Sequence, residues 1–249
     1  MSGRTGYQSN HRAIEIIKNS RSLFVLTGAG ISAESGIPTF RGKDGLWKSY
    51  SATDLATPEA FNRDPELVWE WYRWRQSIIR DAQPNPAHIV LVKLEKYVRS
   101  FMLLTQNVDN LHQLAGSANV LELHGNIFRA RCLTCRQKTM IGTKTTEYTK
   151  PIPSCACGGN LRPDVVWFGE MIPQDIWSSA LAFLAHADTA LICGTSGIVW
   201  PAAAIPEYAK QENVRTIEIN LERTPISAMV DVFLQGKAGE LLPDIVNSL

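Results

Sequence analysis

The sequence predicts a doubly wound α/β fold with a parallel sheet, a large Rossmann-like domain carrying a smaller inserted one. Three observations lead there. Short apolar, β-rich runs alternate with helical stretches. Most of those runs are nearly continuous in hydrophobicity, as strands covered on both faces are. A glycine-rich loop follows the first strand directly, where a helix should begin. The predicted strands are Ser22–Thr27, Ser100–Thr105, Val120–Leu123, Asp164–Trp167, Thr189–Cys193 and Arg215–Ile219. The predicted helices are His11–Asn19, Pro65–Arg80, Pro86–Tyr97, Pro173–Ala185, Ala203–Gln211 and Ala238–Ser248. Several begin at or near proline, whose fixed φ suits the first helical turn. Two segments break the rhythm: 42–81, rich in Trp and Tyr, and 131–160, polar and cysteine-bearing. Both are read as insertions forming the smaller domain, helical and metal-binding respectively. The large domain then comprises about 10–41, 82–130 and 161–249, together one functional unit over 1–249.

Composition narrows the function classes. A chain of 249 residues with 45% hydrophobic and 20% charged residues is ordinary globular material. A net charge of +1 gives no electrostatic footprint for nucleic acid or a membrane surface. No apolar run reaches the roughly 18 residues that span a bilayer, and the polar N-terminus lacks a signal-peptide core. Five cysteines, four of them clustered, favour metal over disulfides and a cytoplasmic setting.

The loop Gly28-Ala29-Gly30-Ile31-Ser32-Ala33 has the form G-x-G-x-x-A. Small residues let backbone approach a pyrophosphate, whose charge the free N–H groups and helix dipole meet. A tight structural turn is the alternative, and the preceding strand weighs against it. A hydride-transfer enzyme would place an acidic strand end about 20 residues later. This chain has Gly36-Ile-Pro38-Thr39-Phe40-Arg41-Gly42 there, so the loop serves a dinucleotide in another way.

Other predicted strand ends are also polar: Gln106-Asn107-Val108-Asp109-Asn110, His124-Gly125, Gly194-Thr195-Ser196-Gly197 and Asn220-Leu221-Glu222. Each alone has a structural reading, since Asn and Asp cap helices and a histidine often satisfies a local bond. Together they converge on the carboxyl ends of the strands, where ligands of such sheets sit. An unperturbed histidine, with a pKa of about 6.5, suits general base work, which makes His124 a candidate. Cys132-x2-Cys135 and Cys155-x-Cys157 are separated by 19 residues. Four thiolates make the closed tetrahedral set of a structural Zn²⁺, with no open position for catalysis. Cys193 falls in an apolar strand and reads as core.

The stretch Gly28 to Arg41, Thr105-Gln-Asn-Val-Asp109, Leu123-His-Gly125, the cysteine insertion, Pro163-Asp-Val-Val-Trp-Phe-Gly-Glu170 and Gly194-Thr-Ser196 occur in that order. Together they resemble the sirtuins, NAD-dependent protein-lysine deacylases, over about residues 10 to 249. The resemblance implies an NAD site built from Gly28, Ala29, Gly30, Ser32, Ala33, Pro38, Thr39, Phe40, Arg41 and Trp47. It adds Gln106, Asn107, Asp109, Gly194, Thr195, Ser196, Asn220, Leu221 and Glu222, with Ala238 near the adenine. Asn107 and Asp109 would hold the nicotinamide end in a strained pocket, and His124 would act as general base on the ribose hydroxyls. Products would be free lysine, nicotinamide and O-acyl-ADP-ribose. Val165, Val166, Trp167 and Phe168 would pair with an extended peptide of an acylated-lysine protein substrate.

Tyr72 and Arg75 are three apart and share a helix face. In sirtuins resembling the class III branch a Tyr and an Arg at this spacing face the acyl pocket. There the arginine can pair with a distal carboxylate and the phenol can add a hydrogen bond. Ala33 agrees, because a small residue leaves that pocket wide. An amphipathic helix with a solvated arginine is the structural alternative. The reading is removal of succinyl and malonyl as well as acetyl groups. Mono-ADP-ribosyl transfer is the nearest rival, and an NAD-sensing module without turnover is the rival from another class.

Overall fold

The computed structural model describes residues 2–39, 50–142 and 152–249, with side chains from residue 8 on. Phe40, Arg41 and Trp47 lie outside the described residues. The chain runs α1 (Ser2–Lys18), β1 (Ser22–Thr27), α2 (Ala29–Ser32), α3 (Ala52–Leu55), α4 (Pro58–Arg63), α5 (Pro65–Asp81) and α6 (Pro86–Tyr97). Next come β2 (Ser100–Thr105), α7 (Leu111–Ala115), β3 (Val120–Glu122), β4 (Gly125–Cys132), β5 (Lys138–Met140) and β6 (Leu161–Val165). The remainder is α8 (Gln174–Leu184), β7 (Thr189–Cys193), α9 (Ile205–Gln211), β8 (Arg215–Asn220), β9 (Val232–Gln235) and α10 (Ala238–Val246).

The predicted doubly wound sheet is present as six strands in the order β3-β2-β1-β7-β8-β9, every neighbouring pair parallel. Pleating explains the continuous hydrophobicity of β1. Leu23 and Val25 face α1, α6 and α10 through Ile17, Leu91, Leu94 and Leu242. Phe24 and Leu26 face α8 and α9 through Ala180, Leu184, Ile205 and Ala209. Helices α4, α5 and α6 start on caps, with the Thr57, Asp64 and Asn85 side chains accepting from the N–H groups of Ala60, Leu67 and Ala87. Proline follows each cap, where its missing N–H costs no helical bond.

One expectation needs correction. The run Asp164–Trp167 is not a strand of the parallel sheet. Strand β6 ends at Val165 and joins a second, three-stranded antiparallel sheet in the order β5-β4-β6. Its partner β4 begins at Gly125, so segments assigned to the large domain on either side of the insertion pair with each other. The cause is long-range: β4 and β6 share a core with α3, α4 and α5, through Ile127, Ala130, Leu161, Trp69 and Trp71. Strand β9, four residues long, adds a sixth strand that the sequence pattern was too short to announce. Among the described residues no helix is long and apolar enough to cross a membrane.

Candidate functional site

In a doubly wound sheet, ligands gather where adjacent strands send their loops in opposite directions. That point lies between β1 and β7, whose loops begin at Gly28 and Gly194. The loops meet backbone to backbone. Gly28 N–H donates to Cys193 O at 3.1 Å and Gly30 N–H to Gly194 O at 2.8 Å. A Cβ on Gly28 or Gly30 would stand 2.8 Å from Gly194 backbone atoms, and one on Gly194 only 2.4 Å from Ile31 N. Gly194 also holds φ +61°, which side-chain-bearing residues rarely adopt. The glycines are thus demanded first by loop-on-loop packing. Two N–H groups expected to face a pyrophosphate are committed inside the protein.

Below this junction sits a buried polar cluster. Ser32 Oγ donates to Asp109 Oδ2 at 2.7 Å and accepts from Asn107 Nδ2 at 3.1 Å. Asn107 Nδ2 also reaches Gly28 O at 3.1 Å, and Asp109 Oδ1 accepts from Leu111 N–H at 2.9 Å. Asn107 and Asp109 are 7% and 4% exposed, yet both are bonded, as buried polar groups must be. Burial pushes the Asp109 carboxyl up, against the pull of Leu111 N–H, the Ser32 hydroxyl and the Arg75 charge. Sequence reasoning assigned Ser32, Asn107 and Asp109 separately; the fold makes them one hydrogen-bonded unit.

His124 is half-buried at the end of β3. Its Nδ1 lies 3.0 Å from Gln106 O. A carbonyl only accepts, so Nδ1 carries the proton and Nε2 presents a lone pair. Burial lowers its pKa and the bond to Gln106 opposes that shift. The next residue, Gly125, has φ +83°, and a Cβ there would overlap Asp164 O. The His124 carbonyl accepts from Val166 N–H at 2.9 Å. The histidine is therefore held by the segment after β2 on one side and by the segment after β6 on the other.

That segment is more constrained than the β-augmentation reading implies. The N–H groups of Val166, Trp167 and Phe168 bond to His124 O, Glu170 Oε2 and Ala56 O, each at 2.9 Å. A peptide lying here would find these three donors already engaged. Val165 and Trp167 are buried, whereas Phe168 is exposed. The Arg162 guanidinium stacks on Trp167 at 3.3 Å, pairs with both Glu170 oxygens at 2.5 and 2.9 Å and donates to Val165 O. Arg162 and Glu170 went unremarked as site residues, because nothing local distinguishes a clamp from a solvated pair.

Tyr72 and Arg75 point into the same region from α5. Tyr72 is fully buried and its oxygen accepts from Trp167 Nε1 at 2.8 Å, which leaves the phenolic O–H free to donate. Burial pushes the phenol up to about 12. Arg75 lies 5.1 Å from the Trp71 ring centroid. Burial lowers its pKa, and the charges of Tyr72 and Asp109 oppose that. One cation thus faces both the Tyr72 phenol and the Asp109 carboxyl.

The remaining expected NAD residues form the rim. Gln106 Nε2 donates to Thr195 Oγ1 at 2.9 Å and Asn220 Nδ2 to Thr195 O at 2.6 Å, joining β2, β7 and β8. Ser196 is half-buried, while Leu221 and Glu222 are exposed beyond β8. Ala238 opens α10, whose Gly239 N–H bonds to Glu34 Oε2 at 2.8 Å. Ala29 starts α2, Ala33 and Pro38 are exposed and Thr39 is half-buried. Unforeseen were His88, His112, Thr27 and Thr105, all buried beneath the cluster. The only local hint was the helix start Asn85-Pro-Ala-His88.

The four cysteines converge. All four sulfurs lie within 4.8 Å of one another, with Cys132–Cys157 at 3.5 Å and Cys135–Cys155 at 3.6 Å. Tetrahedral zinc with bonds of about 2.3 Å places sulfurs roughly 3.8 Å apart. Thr134 and Cys135 N–H groups point at Cys132 Sγ from 3.3 and 3.4 Å, which steadies a thiolate. The set fits a structural Zn²⁺, and the C-x-C pair brings both its sulfurs into it. Cys155→Ser is expected to release the metal and lower the Tm by several degrees or more. Zinc content and thermal melting check this; one retained equivalent with an unchanged Tm contradicts it.

A switch-point dinucleotide crevice, a tautomer-fixed histidine and a Cys₄ module define a zinc-carrying NAD-dependent enzyme class. The profile of the Sir2 family matches residues 28–201. A protein of Pyrobaculum aerophilum, described as NAD-dependent protein deacylase 2, is 51% identical over 94% of each chain. A Thermococcus kodakarensis NAD-dependent protein deacylase is 50% identical over 94% of this chain and 93% of its own. Among solved structures, a Sir2 homologue–NAD complex superimposes with a TM-score of 0.90 at 46% identity, covering 96% of this chain and 93% of that one. A Sir2–p53 peptide–NAD+ complex does so with 0.86 at 30%, covering 95% and 97%. The chain belongs to the Sir2 family.

Proposed function

We propose that this protein is an NAD-dependent protein-lysine deacylase that removes acetyl groups and also succinyl and malonyl groups. The observation that carries the reading is His124, its Nδ1 proton bound to Gln106 O, beside the Ser32–Asn107–Asp109 cluster. The family resemblance and the relatives' deacylase names support it. Bound NAD supplies a ribose carbon that becomes electrophilic as nicotinamide departs. Asn107 and Asp109, oriented by Ser32, hold the nicotinamide carboxamide. The acyl-lysine carbonyl oxygen would bond to that ribose carbon as its bond to nicotinamide breaks. His124 Nε2 would then take a proton from a ribose hydroxyl, whose oxygen attacks the acyl carbon. Addition of one water and breakage of the acyl carbon–lysine nitrogen bond would release the lysine amine and O-acyl-ADP-ribose. The large domain binds NAD, the α3–α5 and Cys₄ parts form the smaller one, and the acyl-lysine peptide lies between them along Val165–Phe168.

The test incubates the protein with NAD and an acetyl-lysine peptide and reads products by mass spectrometry. Free lysine peptide and O-acetyl-ADP-ribose in equal amounts are expected. ADP-ribose attached to protein, without that product, would instead favour mono-ADP-ribosyl transfer. NAD binding with no product at all would mark a sensing module.

For the acyl group, the Tyr72 O–H and the Arg75 guanidinium are matched to a distal carboxylate. Arg75→Met is expected to lower kcat/KM for a succinyl peptide about 10- to 100-fold relative to the acetyl peptide, the effect of losing a charge-assisted bond. Succinyl activity that survives while acetyl activity falls would refute the assignment.

A further inference from the structure

Two histidines outside the proposed catalytic set lie directly beneath it. His88, on α6, and His112, on α7, are 0% and 1% exposed, and their ring centroids are 4.8 Å apart. Their partners define their protons. His88 Nδ1 accepts from Asn85 N–H at 3.3 Å, so its proton is on Nε2, which faces Ser32 Oγ at 3.5 Å. Thr27 Oγ1 donates to Thr105 Oγ1 at 2.9 Å, so it accepts from His112 Nε2–H, also at 2.9 Å. His112 Nδ1 is then a buried lone pair without a partner among the described residues.

Both arms end on one residue. Ser32 Oγ accepts from the Asn107 side chain and donates to Asp109. Thr105 Oγ1 accepts from Asn107 N–H at 3.1 Å. Asn107 is thus held through its backbone by the His112 arm and through its side chain by the His88 arm. With Ser32 receiving two donors, its own hydrogen has one outlet, the Asp109 carboxylate. Protonating either ring would add a donor with no acceptor in this space. Burial holds His88 down to about 4 and His112 to about 3, in keeping with two neutral rings.

We propose that His88 and His112 are a pair of positioning residues, both neutral with the proton on Nε2, that set Asn107 and the Ser32–Asp109 hydrogen bond for the nicotinamide-releasing step. The inference rests on the reading of Asn107 and Asp109 as nicotinamide-pocket residues.

Two measurements on the zinc-loaded protein test it. In ¹⁵N-histidine NMR of the unaltered chain near pH 7, both rings are expected as neutral Nε2–H tautomers. An Nδ1–H tautomer or an imidazolium at either position overturns the proposal, whether or not any variant folds. Kinetics use the different reach of two amides. Asparagine replaces the Nδ1 position and leaves Nε2 unfilled, whereas glutamine reaches Nε2. His88→Asn and His112→Asn are expected to lose about tenfold or more in kcat, with peptide KM within about twofold. His88→Gln and His112→Gln should stay within about threefold of the parent. Equal losses in Asn and Gln variants, or losses confined to KM, overturn the proposal. Asp109→Asn separates the two levels. If it retains full turnover, the site reading has failed. If it collapses while both His→Asn variants run at the parental rate, only the positioning role has failed.

Discussion

Replacing His124 by alanine is expected to lower deacylation turnover about 10²- to 10⁴-fold, the usual contribution of a general base. The NAD Kd should stay within about threefold, because the loop junction at Gly28 and Gly194 does not use the imidazole. The argument begins at Gln106 O, which accepts from Nδ1 at 3.0 Å and leaves Nε2 unprotonated. Burial lowers the His124 pKa, so the neutral, basic form persists further into acid than a free histidine would. The acid limb of kcat/KM should therefore lie below about pH 6.5, the free-histidine value, and disappear in His124→Ala. Steady-state rates against pH, with calorimetric NAD titration, measure both. A variant that keeps turnover would remove His124 from the mechanism, and one that loses NAD binding would make it a structural residue.

Acidification is expected to destabilise the fold steeply through His88 and His112. Their folded-state pKa values are depressed to about 4 and about 3 by burial, with the facing ring adding to the shift of His112. Unfolded, each returns to about 6.5. Between these values the unfolded chain binds more protons, so the stability present above about pH 6.5 is lost as pH falls toward the folded values. At pH 5 each ring costs about 2 kcal/mol at about 1.4 kcal/mol per unit, hence about 4 kcal/mol for the pair. In a chain of this size that corresponds to a Tm lower by about 10 °C. The groups facing the rings are the Asn85 N–H, Thr27, Ser32 and, through Ser32, the Asp109 carboxyl; among the described residues none offers a full countercharge at hydrogen-bond distance. Carboxylates elsewhere titrate in the same range, so the comparison is with a His88→Gln, His112→Gln double variant. The parent should lose about 10 °C more than this variant between pH 7.5 and 5. Parallel losses would show that the acid sensitivity lies elsewhere.

Much of the site was legible in residue order. The G-x-G-x-x-A loop after an apolar strand, the absent acidic strand end and the two cysteine pairs are each local signals. They pointed to a dinucleotide crevice not built for hydride transfer and to a closed metal set. The strands β1, β2 and β7 were legible for the same reason: a nearly unbroken apolar run is set by burial on both faces, whereas β8, Arg-Thr-Ile-Glu-Ile-Asn, alternates and was marked by Ile217 and Ile219. Strand β6 misled because Asp164–Trp167 carries the same apolar signature, yet its neighbours are β4 and α5.

What residue order by itself determined is the alternation of elements, the loop chemistry at each strand end and the ligand types in the Cys₄ insertion. These follow from periodicity and residue type, which act over a few neighbouring positions. Only the tertiary structure decided the rest. Gly28 and Gly30 are glycines as much for Gly194 as for a ligand, and Gly194 follows a different strand. The His124 tautomer depends on a carbonyl just past β2, and the protons on His88 and His112 depend on Asn85, Ser32, Thr27 and Thr105. A proton's place on an imidazole is set by which donor or acceptor stands about 3 Å away. No spacing along the chain encodes that distance until the sheet and its helices have packed.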